Sequence, residues 1–492
     1  MLAGAILGDP AKVEFVALQL VERFTGLTNG TADVYVRAAP TMERDLFEKR
    51  SKVGVTFTIP YNYGGVVFGG LPDMVACADA LNIQGEVCST LQVCVGEGTT
   101  YQDSLERVLP KSRIVSLPAG DILPTFLEGG CNAVVGIDWD LRRLLVVKQV
   151  LGPGYITGQT ALYYEGLSLV TRDDDPQWSD MINMVLQSLM VAEEKGITQS
   201  TASQFMTTHV FGDKYTNIFR NAISAHGNYG ELYERYFEPV ISRRTLPGIN
   251  QLNNGSSPLL RSPEIGTGVS DLGPEPIAGG LLERITKRGY LICGVSETTT
   301  GLAEYDVDMA TWHGLDVDFC RVLASSLFFG STAFDEIIVF VDLTDVSNNG
   351  YVALSKGEVD VLAGAAATLE TEVLEPSSGQ GFAFSIPYFY HDVKNTRSLA
   401  TQQIDPQWSS FANWAVASTI YAEANGITRE TSNDMPEIGM FGDDYRRMFR
   451  DAVLAGGHYG DIYDRNLESA IPRSILNQLN TRDGPQIRPI AF

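Results

Sequence analysis

Apolar and polar positions alternate over residues 12–18, which predicts a strand, and fall at helical spacing over 20–29, a run that stops on Asn29-Gly30 as a helix C-cap would. Short strands are expected at 33–36 and 55–63, the second made irregular by Pro60. A buried strand at 91–95 runs into Gly96-Glu97-Gly98-Thr99-Thr100, and a helix follows to residue 109. The alternation continues with a strand at 113–117, a helix at 119–128, a strand at 132–138, a helix at 139–147 and a strand at 161–170; from 177 onward the pattern is mostly helical. The second half repeats the style, with strands at 290–296, 337–342 and 360–363 and helices at 315–328 and 351–356. Strands alternating with helices at these lengths predict parallel α/β sheets. Residues 254–280 break the pattern with Gly, Ser and Pro and read as an interdomain linker reaching about 30 Å if flexible.

The chain also repeats itself. Asp175-Pro176-Gln177-Trp178, Phe211-Gly212-Asp213 and Tyr229-Gly230-Glu231 return as Asp405-Pro406-Gln407-Trp408, Phe441-Gly442-Asp443 and Tyr459-Gly460-Asp461, each 230 residues on. Upstream the offset is different. Asp33-Val34 matches Asp360-Val361 and Ile59-Pro60-Tyr61 matches Ile386-Pro387-Tyr388, each 327 residues on. The second copy is therefore shorter by one block of 97 residues, corresponding roughly to 65–165 of the first. A block removable between two strands suggests a lobe inserted into another lobe, with a two-strand hinge and a ligand cleft between them.

Composition narrows the function. With 44% hydrophobic and 20% charged residues, the 492-residue chain is ordinary globular material for roughly two to four domains. A net charge of −24 opposes phosphate backbones, so nucleic acid is not an expected partner. No apolar run is long enough to span a membrane, and the first residues lack the basic and apolar regions of a signal peptide. The five histidines show no metal spacing, His226 and His458 reading as packing or capping residues near the Tyr-Gly turns. There is no Gly-x-Ser-x-Gly, phosphate loop or dinucleotide fingerprint, so neither cofactor nor catalytic constellation is expected. Asn29-Gly30-Thr31 and Asn254-Gly255-Ser256 are glycosylation sequons only in a eukaryotic secretory setting.

Several stretches together resemble one family: Arg288-Gly289-Tyr290-Leu291-Ile292-Cys293-Gly294-Val295-Ser296, Gly314-Leu315-Asp316-Val317-Asp318-Phe319-Cys320-Arg321, Gly357-Glu358-Val359-Asp360-Val361-Leu362, Gly98-Thr99-Thr100 and Gly227-Asn228-Tyr229-Gly230-Glu231. They are similar to the general L-amino-acid-binding proteins of polar amino-acid ABC transporters, solute-binding protein family 3, with the type II periplasmic-binding-protein fold. The resemblance implies an α/β fold of two incomplete tandem modules. The first would span 1–255, two-lobed with a hinge, its outer lobe made of 1–63 and 168–255 and its inserted lobe of 64–167. A linker at 256–279 would lead to a second copy at 280–492 holding lobe 1 only. The first copy begins inside the family's first helix and lacks the first strand, which leaves two readings: residue 1 is not the biological start, or another segment, such as one from the second copy, fills the slot.

The resemblance also implies function: binding of an L-amino acid outside the cytoplasm, periplasmic or secreted, for uptake through a membrane permease. The alternative is a sensor or interaction protein derived from such a receptor; an enzyme is not expected. A zwitterion needs a cation or amide donors for its carboxylate and an anion for its ammonium. Arg44, with Thr41, falls where the family binds the carboxylate, and an arginine fork suits it. Thr99 and Thr100 sit at a helix start, where backbone N–H groups favour an anion, although a plain Thr cap fits as well. Asp138 falls at the family's ammonium-binding position, with Asp140 its near rival. In the second copy Thr371 stands in place of Arg44 and no counterpart of Thr99 or Asp138 remains, so ordinary two-lobed binding is not expected there. The six cysteines fit an extracytoplasmic setting as Cys94–Cys131, Cys293–Cys320 and Cys77–Cys88, or as buried free thiols, since spacing alone cannot fix connectivity.

Overall fold

The computed structural model describes residues 1–41, 44, 54–243, 278–296, 300–344, 350–369, 371, 381–391, 395–474 and 477–479. Most of the expected linker lies outside the described residues.

The first half is organised on one sheet. Its strands are β1 (Tyr35–Ala38), β2 (Val55–Phe57), β3 (Asn62–Gly70), β4 (Val93–Gly96), β5 (Ile114–Leu117), β6 (Ala133–Ile137), β7 (Ile156–Thr157) and β8 (Tyr163–Arg172), in the order β1-β8-β3-β6-β4-β5, with β2 also on β8 and β7 on β3. Two long strands make this sheet continuous. β8 pairs β3 through Tyr163–Leu167 and then passes on to pair β1 and β2 through Ser168–Arg172. β3 pairs β8 at Asn62–Val66 and β6 at Val66–Gly70. All nine residues of β3 are buried, four of them glycine. The glycines let neighbours close in: a Cβ on Gly69 would meet Leu145 at 2.6 Å and one on Gly64 would meet Ile137 at 2.4 Å. So glycine-rich a stretch carries little strand signal, and β3 was expected only as far as residue 63; Pro60 separates it from β2.

The second half builds its own sheet from β9 (Leu291–Val295), β12 (Ile338–Asp342), β13 (Val361–Ala365), β14 (Phe382–Phe384), β15 (Phe389–Tyr390) and β16 (Thr396–Gln402), in the order β12-β9-β13-β16-β14 with β15 on β16. A small hairpin, β10 (Glu304–Asp306) and β11 (Thr311–His313), stands apart. Strand pairing repeats between the halves in register. Tyr35 and Ala38 face Val170 and Ser168 across a bulge; Leu362 and Ala365 face Ala400 and Ser398 across another. The left-handed residue inside each bulge is Arg37 (φ 67) in one and Gly364 (φ 70) in the other.

The repeated text folds the same way twice. Asp175 and Asp405 each cap a 19-residue helix, Pro176–Glu194 and Pro406–Ala424, accepting from Trp178 N at 3.0 Å and Trp408 N at 2.9 Å. Near each helix end a half-buried arginine closes an ion pair, Arg243–Glu193 at 2.7 Å and Arg473–Glu423 at 2.6 Å, over a tyrosine pair, Tyr229/Tyr233 or Tyr459/Tyr463. His458 is a cap, its Nδ1 accepting from Asp461 N at 3.2 Å.

One expected strand is absent. Residues 12–19 have no regular structure and are largely exposed, with Phe15 90% accessible. The physical reason is pairing. In the second half β12 exists because β9 lies between it and β13; among the described residues of the first half no strand lies against the outer edge of β1. No described segment of the second half fills that place.

The halves also touch. Leu369 is buried in a core cluster otherwise made of first-half residues, among them Ala5, Met184, Val185 and Phe219. Among the described residues no helix is long and apolar enough to cross a membrane, and no group of His, Cys, Asp and Glu could hold a metal ion. The disulfides are Cys77–Cys88, Cys94–Cys131 and Cys293–Cys320, the expected pairs.

Candidate functional site

The residues expected to form the site gather around the stretch where β3 and β8 pass from one part of the sheet to the other. On one side, the bulge of β1 leads through Ala39 and Pro40 to Thr41, which is buried, and then to Arg44. Arg44 N donates to Thr41 Oγ1 at 3.4 Å and its Nη1 to Ala39 O at 2.9 Å, so the side chain is held back along the strand end. On the other side β4 ends in a turn through Gly98 (φ 66) into the helix Thr100–Val108. Thr99 is both N-cap and turn lock, its Oγ1 donating to Gly96 O at 2.6 Å and accepting from Gln102 N at 3.2 Å. Thr100 Oγ1 donates to Glu165 Oε2 at 2.8 Å.

Glu165 and Arg23 were not anticipated. Glu165 is a buried carboxylate on β8, raised above the ordinary range by burial and opposed by the Thr100 hydrogen bond and the charge of Arg44. Arg23 begins the helix Arg23–Thr28 and donates through Nη2 to Gly98 O at 3.0 Å, crossing to the turn before Thr99. Burial, then the nearby Arg44, lower its pKa to about 10. A guanidinium inside a helical apolar run and a lone Glu in an apolar strand are the signals that could have found these two, because a charge at a core position needs a partner.

Asp138 stands at a separate corner, at the end of β6. It is buried, and burial pushes its carboxyl up to about 6 against the opposing effect of hydrogen bonds from the Trp139 and Gly65 amides. Gly64 and Gly65 of β3 make room for it, since a Cβ on Gly64 would sit 3.1 Å from Oδ1. No ion pair to Asp138 exists among the described residues. Asp140 differs: it is partly exposed and paired with Arg37 at 3.2 Å and Arg143 at 3.3 Å. Arg37 also lies over the Trp139 ring at 4.7 Å, so it ties the β1 bulge to the segment after β6. The structure thus groups Thr41, Arg44, Thr99 and Thr100 around Glu165 and Arg23, and sets Asp138 beside the paired glycines of β3.

In the second half Thr371 occupies the position matching Arg44, and its hydroxyl and that of Thr368 bond each other at 3.1 Å. The corresponding part of the second half holds a buried pair, Arg397 with Asp316, which Tyr388 joins by donating to Asp316 Oδ1 at 2.7 Å. Gly364 permits this: a Cβ there would collide with both Arg397 and Asp316.

No protein-family model matches the chain. Curated relatives are amino-acid-binding proteins of ABC transporters that align with about half of it. The glutamate/glutamine/aspartate/asparagine-binding protein BztA of Rhodobacter capsulatus is 26% identical over 273 residues, covering 51% of this chain and 77% of that protein. The general L-amino acid-binding periplasmic protein AapJ of Rhizobium johnstonii is 27% identical over 278 residues, covering 51% and 77%. Among solved structures, an ABC transporter periplasmic binding protein from Brucella ovis with glutathione bound is 24% identical with a TM-score of 0.43, covering 51% of this chain and 82% of that one.

Proposed function

We propose that the first unit, residues 1–255 with an inserted lobe at 64–167, binds an L-amino acid in the cleft between its lobes and delivers it, outside the cytoplasm, to the membrane permease of an ABC transporter. In this reading Arg44, with Thr41 and the helix start at Thr99 and Thr100, receives the α-carboxylate, and Asp138 receives the ammonium. The observation that carries it is the contrast between the two aspartates after β6. Asp140 is paired with two arginines, whereas Asp138, at the end of β6, is buried and among the described residues makes no ion pair, feeling only the more distant charge of Arg142. A buried carboxylate raised to about 6 gains most from an arriving ammonium. The relatives' binding of amino acids and the three disulfides, typical of oxidising compartments, support the same reading.

The second unit, 280–492, is a copy reduced to the outer lobe. The repeated strand registers and the paired Asp-capped helices support the common origin, and the Arg397–Asp316 pair and Thr371 support its inability to hold a zwitterion. Calorimetry with the twenty amino acids tests both statements. One site per chain is expected, lost in Arg44→Ala and Asp138→Asn. Absence of any heat or thermal shift with the whole panel would refute the binding function, and two equivalent sites would refute the role given to the second unit.

A further inference from the structure

Three arginines inside the fold are each set against a carboxylate: Arg243 pairs with Glu193 at 2.7 Å, Arg473 with Glu423 at 2.6 Å, and Arg397 with Asp316. Arg23 is also buried, only 8% exposed, and has no such partner. Among the described residues it makes no ion pair: its Nη2 donates to Gly98 O at 3.0 Å, and its Nε is buried with no acceptor. Arg44 stands close enough to lower the Arg23 pKa, and the Arg44 guanidinium itself donates only to Ala39 O. Glu165 feels both charges, yet its carboxylate is engaged by hydroxyl groups, Thr100 Oγ1 at 2.8 Å and that of Tyr101. A buried N–H without an acceptor is unfavourable, the more so on a cation.

The second half shows what the scaffold alone requires. At the offset of 327, the helix Arg23–Thr28 corresponds to Gly350–Ser355. The packing positions are kept, with Phe24 and Leu27 in one core answering to Tyr351 and Leu354 in the other. Arg23 is not kept. Gly350 stands in its place, as Thr371 stands in that of Arg44. The two guanidiniums without a carboxylate are therefore missing together from the copy that lacks the counterpart of residues 65–165, and the helix that carries one of them forms without it.

We propose that Arg23 receives the side chain of the bound amino acid, and that the preferred ligands are L-amino acids whose side chain ends in a carboxylate, with the carboxamides as weaker ligands. This role rests on the reading given above, in which the unit binds an amino acid through Arg44, the helix start and Asp138. There Arg44 with Thr99 and Thr100 takes the α-carboxylate. Arg23, tied to the residue just before the Thr99 cap, stands beside them with an N–H still to give. A guanidinium offers a carboxylate two charge-assisted hydrogen bonds. A carboxamide oxygen accepts without the charge, and an apolar side chain leaves Nε buried and unmatched.

Calorimetry on the whole chain tests this with two series of ligands: aspartate, asparagine and leucine, which share one branched shape, and glutamate, glutamine and methionine, of the next length. In the series that fits, Kd is expected to rise about tenfold or more from the acid to the apolar member, with the amide between them. Arg23→Met is expected to shrink that ratio about tenfold or more, and Arg23→Lys, which returns the charge without the fork, to recover part of it. The wild-type ranking decides the matter even if a variant fails to fold. Leucine or methionine binding the wild type as tightly as the acids would overturn the proposal. So would equal weakening of acidic and apolar ligands by Arg23→Met, which would leave Arg23 a brace on the Gly98 turn. Either result leaves amino-acid binding itself standing, whereas no binding by any member of either series would overturn that reading along with this one.

Discussion

Asp180 of the first half accepts two contacts from Gln403 of the second, Nε2 lying 3.0 Å and 3.2 Å from its carboxylate oxygens. The carboxyl is buried, and burial raises it to about 8, with the charge of Asp175 acting in the same direction and the Gln403 bond opposing. An acid whose folded pKa lies above its unfolded value contributes stability fully present below the unfolded pKa and lost as pH rises through the folded one. Thermal melting is therefore expected to fall as pH goes from about 4 to beyond 8. Asp180→Asn keeps the Gln403 contact, removes the titration and should flatten that profile; an Asn variant with an unchanged pH profile would contradict the assignment.

A second pH effect belongs to binding. If Asp138 takes the ammonium, the ionised form is the competent one, and affinity should rise with pH through about 6 and level off above it. Below that value each pH unit should cost about tenfold in Kd. Calorimetry at several pH values checks this, with Asp138→Asn expected to bind weakly and without the slope.

Arg23 joins its helix to the turn at Gly98. Arg23→Met keeps most of the apolar stem while removing the bond and the charge beside Glu165. A loss of about 1.5–3 kcal/mol in closure or ligand affinity is expected, read as a higher Kd. The same variant should leave the second unit's hydrogen-exchange protection unaltered.

Cys94 and Cys131 join β4 to the turn two residues before β6, 37 positions apart in sequence. Replacing both by alanine should destabilise the part of the sheet around β4 and β6 by about 2–4 kcal/mol, measured as a urea midpoint shift. Cys77–Cys88 closes only an 11-residue separation and should matter less.

How much of this was legible beforehand depended on what each signal rests on. The strands at 93–96, 114–117 and 133–137 are short apolar runs between turn signals, and they were readable. The repeat of Asp175-Pro176-Gln177-Trp178 as Asp405-Pro406-Gln407-Trp408 was readable because the same residues recur at one spacing, although the capping role of the two aspartates was not read from it. β3 was not, because its buried glycines serve close approach rather than β propensity. Residues 12–18 misled for the opposite reason: alternation describes what a segment could bury, and only a neighbouring strand makes it a strand. Thr99 and Asp138 stand at element ends, where the sequence could propose them, whereas Glu165 and Arg23 become intelligible only once β8 and the helix at 23–28 are brought beside Thr100 and the turn at Gly98.

The arginine–glutamate clamps make a matched pair. Arg243→Ala and Arg473→Ala each strip the partner of a half-buried ion pair and should each cost about 3 kcal/mol in their own unit. Similar losses in the two units would mark the clamps as equivalent.

That equivalence has a consequence for how the chain reaches its native state. Two helices with the same cap, the same tryptophan and the same clamp geometry coexist in one polypeptide, so during folding Arg243 meets two acceptable glutamates and Arg473 meets the same two. Crossed pairing would trap the chain in a compact but misassembled form, a failure mode typical of repeats within one molecule. Making one unit before the other emerges removes the competitor, so the order of synthesis becomes part of the folding information. Refolding the full chain from denaturant should recover less native protein than refolding the halves separately and mixing them.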